Sequence, residues 1–343
     1  MFYDGTKLLS LMDVNGDKPE IYISTSNRSA GKTTYFNRLA VNRFKKNGSK
    51  FCLLYRFKYE LCECQDKFFK DIKSLFFNTD DMTAERRANG LFYELMLNEE
   101  PCGYAMALND ADTLKKYSHF FSDVDMIIFD EFQSESNHYC SDEVRKFKSI
   151  HTSIARGKGK QSRYVPVYML ANFVSLLNPY YIEMGISNRL KDETNYLRGV
   201  GFVLEQGFND TASKAIQQSA FMRAFSKDEN YLKFTTQKCY LNDNVAFIEN
   251  PQGKSTYICT MNYKGINYAV REYPEIGIVY CDNKPDMSNP IKISVTTDDH
   301  NINYVMLKSN STLLSAMRYF FDKGCFRFKD LSSKECILKA LSY

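Results

Sequence analysis

The chain has 343 residues, of which 44% are hydrophobic and 25% charged, and its formal net charge is +4. This composition is ordinary for a soluble globular protein, and the length favours two domains. No apolar run approaches the roughly 20 residues that span a bilayer. The first residues, Met1–Asp4, lack the charged-then-apolar pattern of a targeting signal, so we expect neither a membrane span nor a targeting segment.

Cysteine and histidine usage argues against a metal-binding or disulfide-stabilised protein. The chain has 10 cysteines and 4 histidines. They show no paired Cys-x-x-Cys motif and no metal-site spacing, which favours reduced thiols in a cytosolic protein.

A short stretch near the N-terminus has the pattern of a phosphate-binding loop. Ile21-Tyr22-Ile23 predicts a strand before it, and apolar residues at helical spacing predict a helix after it, ending at Asn47-Gly48. Backbone N–H groups and a helix N-terminus would hold a polyphosphate there, with the Lys32 ammonium between the terminal phosphates and the Thr33 hydroxyl on Mg²⁺. The loop comprises Ser26, in place of the motif's usual first glycine, and Asn27, Arg28, Ser29, Ala30, Gly31, Lys32 and Thr33. This pattern predicts a protein that binds a nucleoside triphosphate.

A second motif ends in two carboxylates. The uninterrupted apolar run Met126–Phe129 suits a central parallel strand that is buried on both faces, and Asp130 and Glu131 follow it directly. Open α/β sheets bind ligands at the carboxyl ends of their strands. Asp130 would hold the Mg²⁺ shell, and Glu131 would orient and deprotonate the attacking water. The adjacent glutamate favours hydrolysis over nucleotide sensing, so we predict an ATPase.

The next segment supplies two further candidates. Val167–Leu170 predicts a strand beside the Asp130 strand, and Asn172 at its tip would sense the γ-phosphate. Before it, a helix predicted over Asp142–Ile154 leads to a glycine-rich loop, where Arg156 is either an arginine finger to a neighbouring subunit or a surface arginine. The stretch Val144–Tyr164 contains no acidic residue, so we expect it to contact phosphates. Its basic residues are Arg145, Lys146, Lys148, Arg156, Lys158, Lys160 and Arg163.

The pattern changes after about Gly201. Ala212–Phe225 has a helical period, and we interpret residues 203–245 as a small helical linker. The two-residue sequence Lys264-Gly265 between two strand-like runs predicts a hairpin. An amphipathic helix is predicted at Ser311–Phe321. The predicted strands are Ala246–Ile248, Thr256–Tyr263, Ile266–Glu272 and Ile276–Cys281.

Several segments, in the same order along nearly the whole chain, resemble the DNA-packaging ATPases of phi29-type bacteriophages, which are terminase-like viral packaging ATPases. The chain departs from that family at Ser26, where the family has glycine, and its similarity is weak over residues 60–120 and 205–245. The segments that carry the resemblance are Arg28, Phe51–Leu61, Phe129–Phe132, Leu170–Asn172, Asn178–Tyr180, Val295–Asp299 and Lys323–Phe328.

The resemblance implies an α/β fold with a P-loop NTPase domain of the additional-strand catalytic-glutamate type over residues 1–202. Residues 203–245 would be the linker domain, and residues 246–343 a ribonuclease-H-like domain. It further implies a pentameric ring that uses ATP and Mg²⁺ to pump double-stranded DNA into a procapsid, docked on the capsid portal. The protein would act in the host cytoplasm, transiently at the procapsid vertex, without a membrane partner. Whether a structural RNA takes part is left open.

The resemblance also implies roles for single residues. Lys32, Thr33, Asp130 and Glu131 take the nucleotide, metal and catalytic roles, and Arg28 is the loop arginine of the family. Arg156 matches the trans-acting finger. A second trans-acting basic residue falls at Lys116 or at the neighbouring Lys115, and the choice between these two is open.

Two alternatives to a packaging motor are a large terminase with an active Mg²⁺-dependent nuclease and a nucleotide-gated capsid-assembly switch without steady turnover. Two-metal cleavage needs clustered carboxylates, including one within the first strand of the nuclease domain. The predicted first strand, Tyr257–Met261, contains no acid, which disfavours the nuclease, and Glu131 disfavours the switch. We therefore expect a vestigial nuclease domain that binds and does not cut.

Overall fold

The computed structural model describes residues 3–136, 138–157, 159–176, 178–187, 189–190, 194–224 and 247–341. The chain divides into two compact units: Met1–Val174 with Leu190–Leu241, and Ser175–Arg189 with Asn242–Tyr343. Within the described ranges, no helix combines the length and the apolar character that crossing a membrane requires.

The first unit is built on a mixed sheet that has nine strands among the described residues. They are β1 (Ile21–Ser26), β2 (Lys50–Tyr55), β3 (Met82–Arg87), β4 (Phe92–Leu97), β5 (Glu100–Ala107), β6 (Val124–Asp130), β7 (Val167–Asn172), β8 (Tyr196–Gly199) and β9 (Phe202–Gln206). Their spatial order is β3-β4-β5-β2-β6-β7-β1-β9-β8. The central strands pair in parallel, and β7 lies between β1 and β6, so one strand separates the phosphate loop from the two carboxylates.

Burial explains why these segments form strands. Met126–Phe129 are all buried in β6, as expected for a parallel strand covered on both faces. The predicted helix after the phosphate loop is confirmed, and it ends where Gly48 adopts a left-handed φ of 70°, a common helix terminator. The described helices of this unit are α1 (Thr6–Ser10), α2 (Lys32–Asn47), α3 (Lys58–Phe76), α4 (Ala111–Leu114), α5 (Glu143–Ala155), α7 (Asp210–Gln217) and α8 (Ala220–Ala224).

The segment assigned to the helical linker begins inside the first sheet. Residues 203–206 belong to β9, which pairs in parallel with β1, because their side chains are buried in the sheet of the first unit. Helical structure follows as α7 and α8, which are separate because Ser219 starts a new helical turn by accepting a hydrogen bond from the Met222 N–H at 3.2 Å. Residues 225–245 of the predicted linker lie outside the described part of the chain.

The second unit contains a six-stranded sheet, with β10 (Thr256–Tyr263), β11 (Ile266–Tyr273), β12 (Ile278–Asp282), β13 (Lys292–Ser294), β14 (Val305–Met306) and β15 (Phe326–Phe328), in the order β14-β13-β10-β11-β12-β15 among the described residues. Strands β10, β11 and β12 are antiparallel neighbours, and β13 and β14 continue in parallel beside β10, which is the arrangement of a ribonuclease-H-like sheet. Lys264 and Gly265 both have left-handed φ angles, 53° and 72°, as a two-residue hairpin turn requires.

Two strand predictions in this unit need correction. The third strand begins at Ile278 and not at Ile276, because Pro274–Ile276 form a 3₁₀ turn. Phe247 makes only an isolated bridge to Phe328, and Ala246 lies outside the described residues. The described helices of this unit are α6 (Pro179–Glu183), α9 (Ser311–Asp322) and α10 (Leu331–Leu341).

Asn178-Pro179-Tyr180, one of the segments that carry the resemblance, is the start of α6. The Asn178 side-chain oxygen accepts hydrogen bonds from the N–H groups of Tyr180 and Tyr181, and Pro179 occupies the first helical position.

Candidate nucleotide site

Three neighbouring strands bring the predicted residues to one edge of the first sheet. Ser26 at the end of β1 is in register with Asn172 at the end of β7, and Asp130 at the end of β6 is in register with Leu170. Because parallel strands end at the same edge, the phosphate loop, Asn172 and the two carboxylates converge there. The sequence therefore located this edge from three separate motifs.

The phosphate loop is held by side chains on both sides. Asn27 accepts a hydrogen bond from the Asn209 N–H at 2.9 Å and donates one to the Asn209 carbonyl at 3.1 Å, which ties the loop to the segment after β9. Arg28 forms an ion pair with Glu135, and the Asn172 amide donates to the same carboxylate at 3.3 Å. Gly31 has a φ of 97°, a conformation that suits glycine, and α2 begins at the next residue.

Lys32 is buried at the base of the loop, with 6% of its surface exposed. Its ammonium donates to the Ser26 hydroxyl at 2.6 Å, so the serine that replaces the usual glycine supplies a hydrogen-bond acceptor. Burial lowers the pKa of Lys32 to about 8, while the nearby carboxylates of Asp130 and Glu205 act in the opposite direction. An anionic ligand at this position would further favour the charged form.

Thr33 and Asp130 line one small cavity of about 40 Å³. A hydroxyl and a carboxylate are the oxygen donors that suit Mg²⁺, which proteins bind through one or two carboxylates together with substrate phosphates. Asp130 also accepts a hydrogen bond from the Glu131 N–H at 3.0 Å, which fixes the Asp130 carboxylate against the backbone at the end of β6.

Glu131 has a left-handed φ of 53°, which is unfavourable for a residue other than glycine and persists only where the surroundings enforce it. It lies on the wall of a cavity of about 280 Å³ whose other walls include Arg28, Glu135 and Asn172. A carboxylate in this position can accept a proton from a water molecule in the cavity.

The sequence analysis gave no site role to three residues, namely Arg56, Glu135 and Glu205, although Arg56 lies in the segment Phe51–Leu61 that carries the resemblance. Glu205 is buried and accepts a hydrogen bond from the Tyr196 hydroxyl at 2.8 Å. Burial and this carboxylate raise the pKa of Tyr3, which also bonds to Glu205. In the sequence, Glu205 is recognisable as a single glutamate directly after the apolar run Phe202–Leu204. Nothing in the sequence distinguishes Glu135 in this way.

Arg156 and one of the two candidate lysines line a second, basic cleft, whose lining includes none of Thr33, Asp130 and Glu131. Lys115 and Arg156 line a cleft of about 620 Å³ together with Arg145 and Lys148, and Lys116 is exposed but is not among the described lining residues. Arg156 directly follows α5, whose 13 residues span about 20 Å.

The acid-free stretch after Val144 is not uniformly a surface for phosphates. Lys146 is buried and donates to Asn109 at 3.0 Å, and Arg163 forms a 3.0 Å ion pair with Asp125. These two basic residues therefore stabilise the fold, which corrects the expectation that the whole stretch contacts phosphates. Lys158 lies outside the described residues.

Among the described residues of the second unit, no three potential metal ligands lie close enough together to hold a metal ion, and β10 carries no acid. Asp282, at the end of β12, is buried and forms an ion pair with Arg271. Asp299 accepts a hydrogen bond from the Gly265 N–H at 3.1 Å in the hairpin turn.

This chain is similar in sequence to a known protein family and to individual relatives. The family model described as Podovirus DNA encapsidation protein (Gp16) matches residues 1–341. The DNA packaging protein of Bacillus phage phi29 is 24% identical over 332 residues, which cover 96% of this chain and 93% of the relative. That of Bacillus phage B103 is 24% identical over 274 residues, covering 79% of this chain and 80% of the relative.

Two solved structures share the fold. The bacteriophage Phi-29 viral genome packaging motor assembly aligns with a TM-score of 0.58 at 22% identity, covering 99% of both chains. The Phi-28 DNA packaging motor aligns with a TM-score of 0.62 at 16% identity, covering 100% of this chain and 98% of the other.

Proposed function

Since the chain belongs to the family of podovirus DNA encapsidation proteins, we propose that it is the ATP-hydrolysing subunit of a ring-shaped motor that moves double-stranded DNA into a procapsid. The observation that carries this proposal is the convergence of Lys32, Asp130, Glu131 and Asn172 at one sheet edge. Two relatives that align over nearly their whole length are named DNA packaging proteins, which supports DNA as the substrate.

The chemistry follows from the side chains at that edge. The Lys32 ammonium donates a hydrogen bond to the Ser26 hydroxyl, and it would donate instead to the terminal phosphates when ATP is bound. Thr33 and Asp130 would hold Mg²⁺, which neutralises charge on the phosphates when it is bound. Glu131 would take the proton of the attacking water, and Asn172 would contact the γ-phosphate.

Two residues would act on a neighbouring subunit. Arg156 lines a cleft whose lining includes none of Thr33, Asp130 and Glu131, and we therefore assign it to the site of an adjacent copy. Lys115 lines the same cleft as Arg156, and we therefore assign the second trans-acting role to Lys115 in preference to Lys116. A closed ring, pentameric by the resemblance, would supply each site with these residues.

The second unit would contribute binding and not cleavage. We propose that residues 246–343 form a nuclease-like domain without a catalytic metal site. This proposal is supported by the acid-free β10 and by the ion pair that neutralises Asp282. Partners of the motor would be duplex DNA, the capsid portal and further copies of this chain.

A DNA-stimulated ATPase assay with Glu131→Gln tests the proposal. We expect the variant to bind ATP but to lose about two or more orders of magnitude in turnover, because the general base is removed. Glu99→Gln is a matched control, since Glu99 is also an exposed glutamate with left-handed φ, 68°, but lies in the turn between β4 and β5. Lys32→Ala should lose ATP binding itself.

The same samples distinguish the two alternatives. Mg²⁺-dependent cleavage of duplex DNA by the unmodified protein would favour a terminase with an active nuclease. Binding of ATP without steady turnover would favour an assembly switch. Turnover in Glu131→Gln equal to that of the unmodified protein would refute the catalytic assignment.

A further inference from the structure

Arg56 lies directly after β2 and is buried, with 5% of its surface exposed. Its Nε donates to both carboxylate oxygens of Glu143, at 3.1 and 3.0 Å. Its Nη2 donates to the carbonyl of Glu131 at 3.2 Å and to that of Phe132 at 2.7 Å. One guanidinium therefore joins β2, the backbone after β6 and the start of α5.

The carbonyls that Arg56 binds belong to the strained part of the site. Glu131 has a φ of 53°, and such a conformation is maintained only by surrounding contacts. The Asp130 carboxylate holds the N–H of Glu131, and Arg56 holds its carbonyl. Together these two bonds fix the peptide groups on both sides of the proposed catalytic carboxylate.

The other partner of Arg56 is the first residue of α5. The Glu143 side chain is 1% exposed and also accepts a hydrogen bond from the Cys140 N–H at 2.8 Å. A buried ion pair is hard to separate, because separation leaves both charges uncompensated. The start of α5 is thus held to the backbone of Glu131, and the end of α5 leads to Arg156.

We propose that Arg56 is the positioning residue of Glu131, and that the Arg56–Glu143 pair links this carboxylate to α5, the helix that ends at the trans-acting arginine. The inference rests on the roles proposed above for Glu131 and Arg156. In a ring, this link would couple the geometry of a subunit's own site to the position of the arginine it presents to its neighbour.

Arg56→Lys tests the first part, because lysine keeps the charge but cannot span a carboxylate and two carbonyls. We expect kcat to fall on the order of 10²-fold with KM for ATP little changed, since a small displacement of a catalytic group has this effect. Arg271→Lys is the matched control. It breaks another Arg–carboxylate pair with a carbonyl contact, but in the second unit, and should leave basal ATPase activity unchanged.

A double-mutant cycle separates positioning from general destabilisation. If Arg56 acts through Glu131, Arg56→Lys should cost less than about 2-fold in single-turnover rate when Glu131 is already glutamine. Multiplying effects in the double variant, or a raised KM with unchanged kcat, would overturn the inference while leaving the role of Glu131 intact. A fully active Glu131→Gln protein would instead refute the catalytic role of Glu131 on which this inference rests. Should Arg56→Lys fail to fold, Glu143→Gln, which keeps the shape of the carboxylate, replaces it in the cycle.

Mixed rings test the link to α5. When Arg156→Ala subunits are mixed with Glu131→Gln subunits, turnover occurs only in Arg156→Ala sites that receive a finger from a Glu131→Gln neighbour. Adding Glu143→Gln to the Glu131→Gln subunit then reports on finger position alone. We expect this addition to lower the rescued turnover several-fold; an equal rescue, with mixed rings shown to form, would overturn the link.

Discussion

Both sheets of this protein have carboxylates at strand ends, but the surroundings of these carboxylates differ. In the first unit, Asp130 lies beside Thr33 in a small cavity, and Glu131 faces a larger one. In the second unit, Asp282 is buried against Arg271. A carboxylate paired with a guanidinium has little capacity left for a metal ion or a proton. Asp130 and Glu131 border cavities, whereas Asp282 is held in a buried ion pair, so the position at a strand end does not by itself decide the surroundings of a carboxylate.

The largest effect is expected from a test of whether the site at the first sheet edge needs a residue from a neighbouring subunit. Arg156→Ala should reduce turnover about 10³-fold or more with little change in ATP affinity, because the guanidinium would stabilise transition-state charge in a neighbour. Mixing this variant with Glu131→Gln protein should restore part of the activity in ATPase assays. If no mixing ratio restores activity although mixed rings form, Arg156 is not a trans-acting finger and the first edge is self-sufficient.

The cation at the first edge responds to pH. Burial lowers the pKa of the Lys32 ammonium to about 8, whereas the guanidinium group of an arginine placed at that position would stay charged at any working pH. Raising the pH through that value removes the Lys32 charge from the free protein, so ATP affinity should fall, approaching 10-fold per pH unit above about 8. Equilibrium binding of ATP from about pH 7 to pH 9.5 measures this. The control is the Lys32→Arg variant, whose affinity for ATP should not change over this pH range. An ATP affinity of the unmodified protein that stays constant with pH would contradict the prediction.

The smallest effect is expected on the binding of duplex DNA, and it tests which of the two units makes the phosphate contacts. Replacing Lys158 and Lys160 with alanine should weaken duplex binding equally for all sequences and change the salt slope by roughly one per lost phosphate contact. Lys254 and Lys308, two exposed lysines of the second unit, serve as the comparison pair. Binding assays at several salt concentrations distinguish the pairs. If only the Lys254 and Lys308 variant changes the slope, the grip belongs to the second unit.

Local sequence patterns determined most of the architecture. The apolar run before Asp130 predicted a doubly buried strand, Gly48 predicted a helix end, and Lys264-Gly265 predicted a hairpin, and all three are confirmed. Each depends on residues close together in the chain, so no distant partner is needed to predict it. The site residues of the phosphate loop and of β6 were identified for the same reason, although their catalytic roles stay predictions.

Tertiary structure decided which charges are available. Lys146 and Arg163 belong to the same basic stretch as Arg145 and Lys148, yet only the latter two line the cleft with Arg156. The assignment of residues 203–206 to the sheet likewise depended on their pairing with β1.

The sequence by itself determined that a phosphate loop and two carboxylates exist, because each motif is contiguous in the chain. Only the tertiary structure brought Arg56 to the carbonyl of Glu131 and to Glu143, which lie 75 and 87 positions further along. Such contacts are invisible in a single sequence, since an arginine's partners depend on how distant strands and helices pack together.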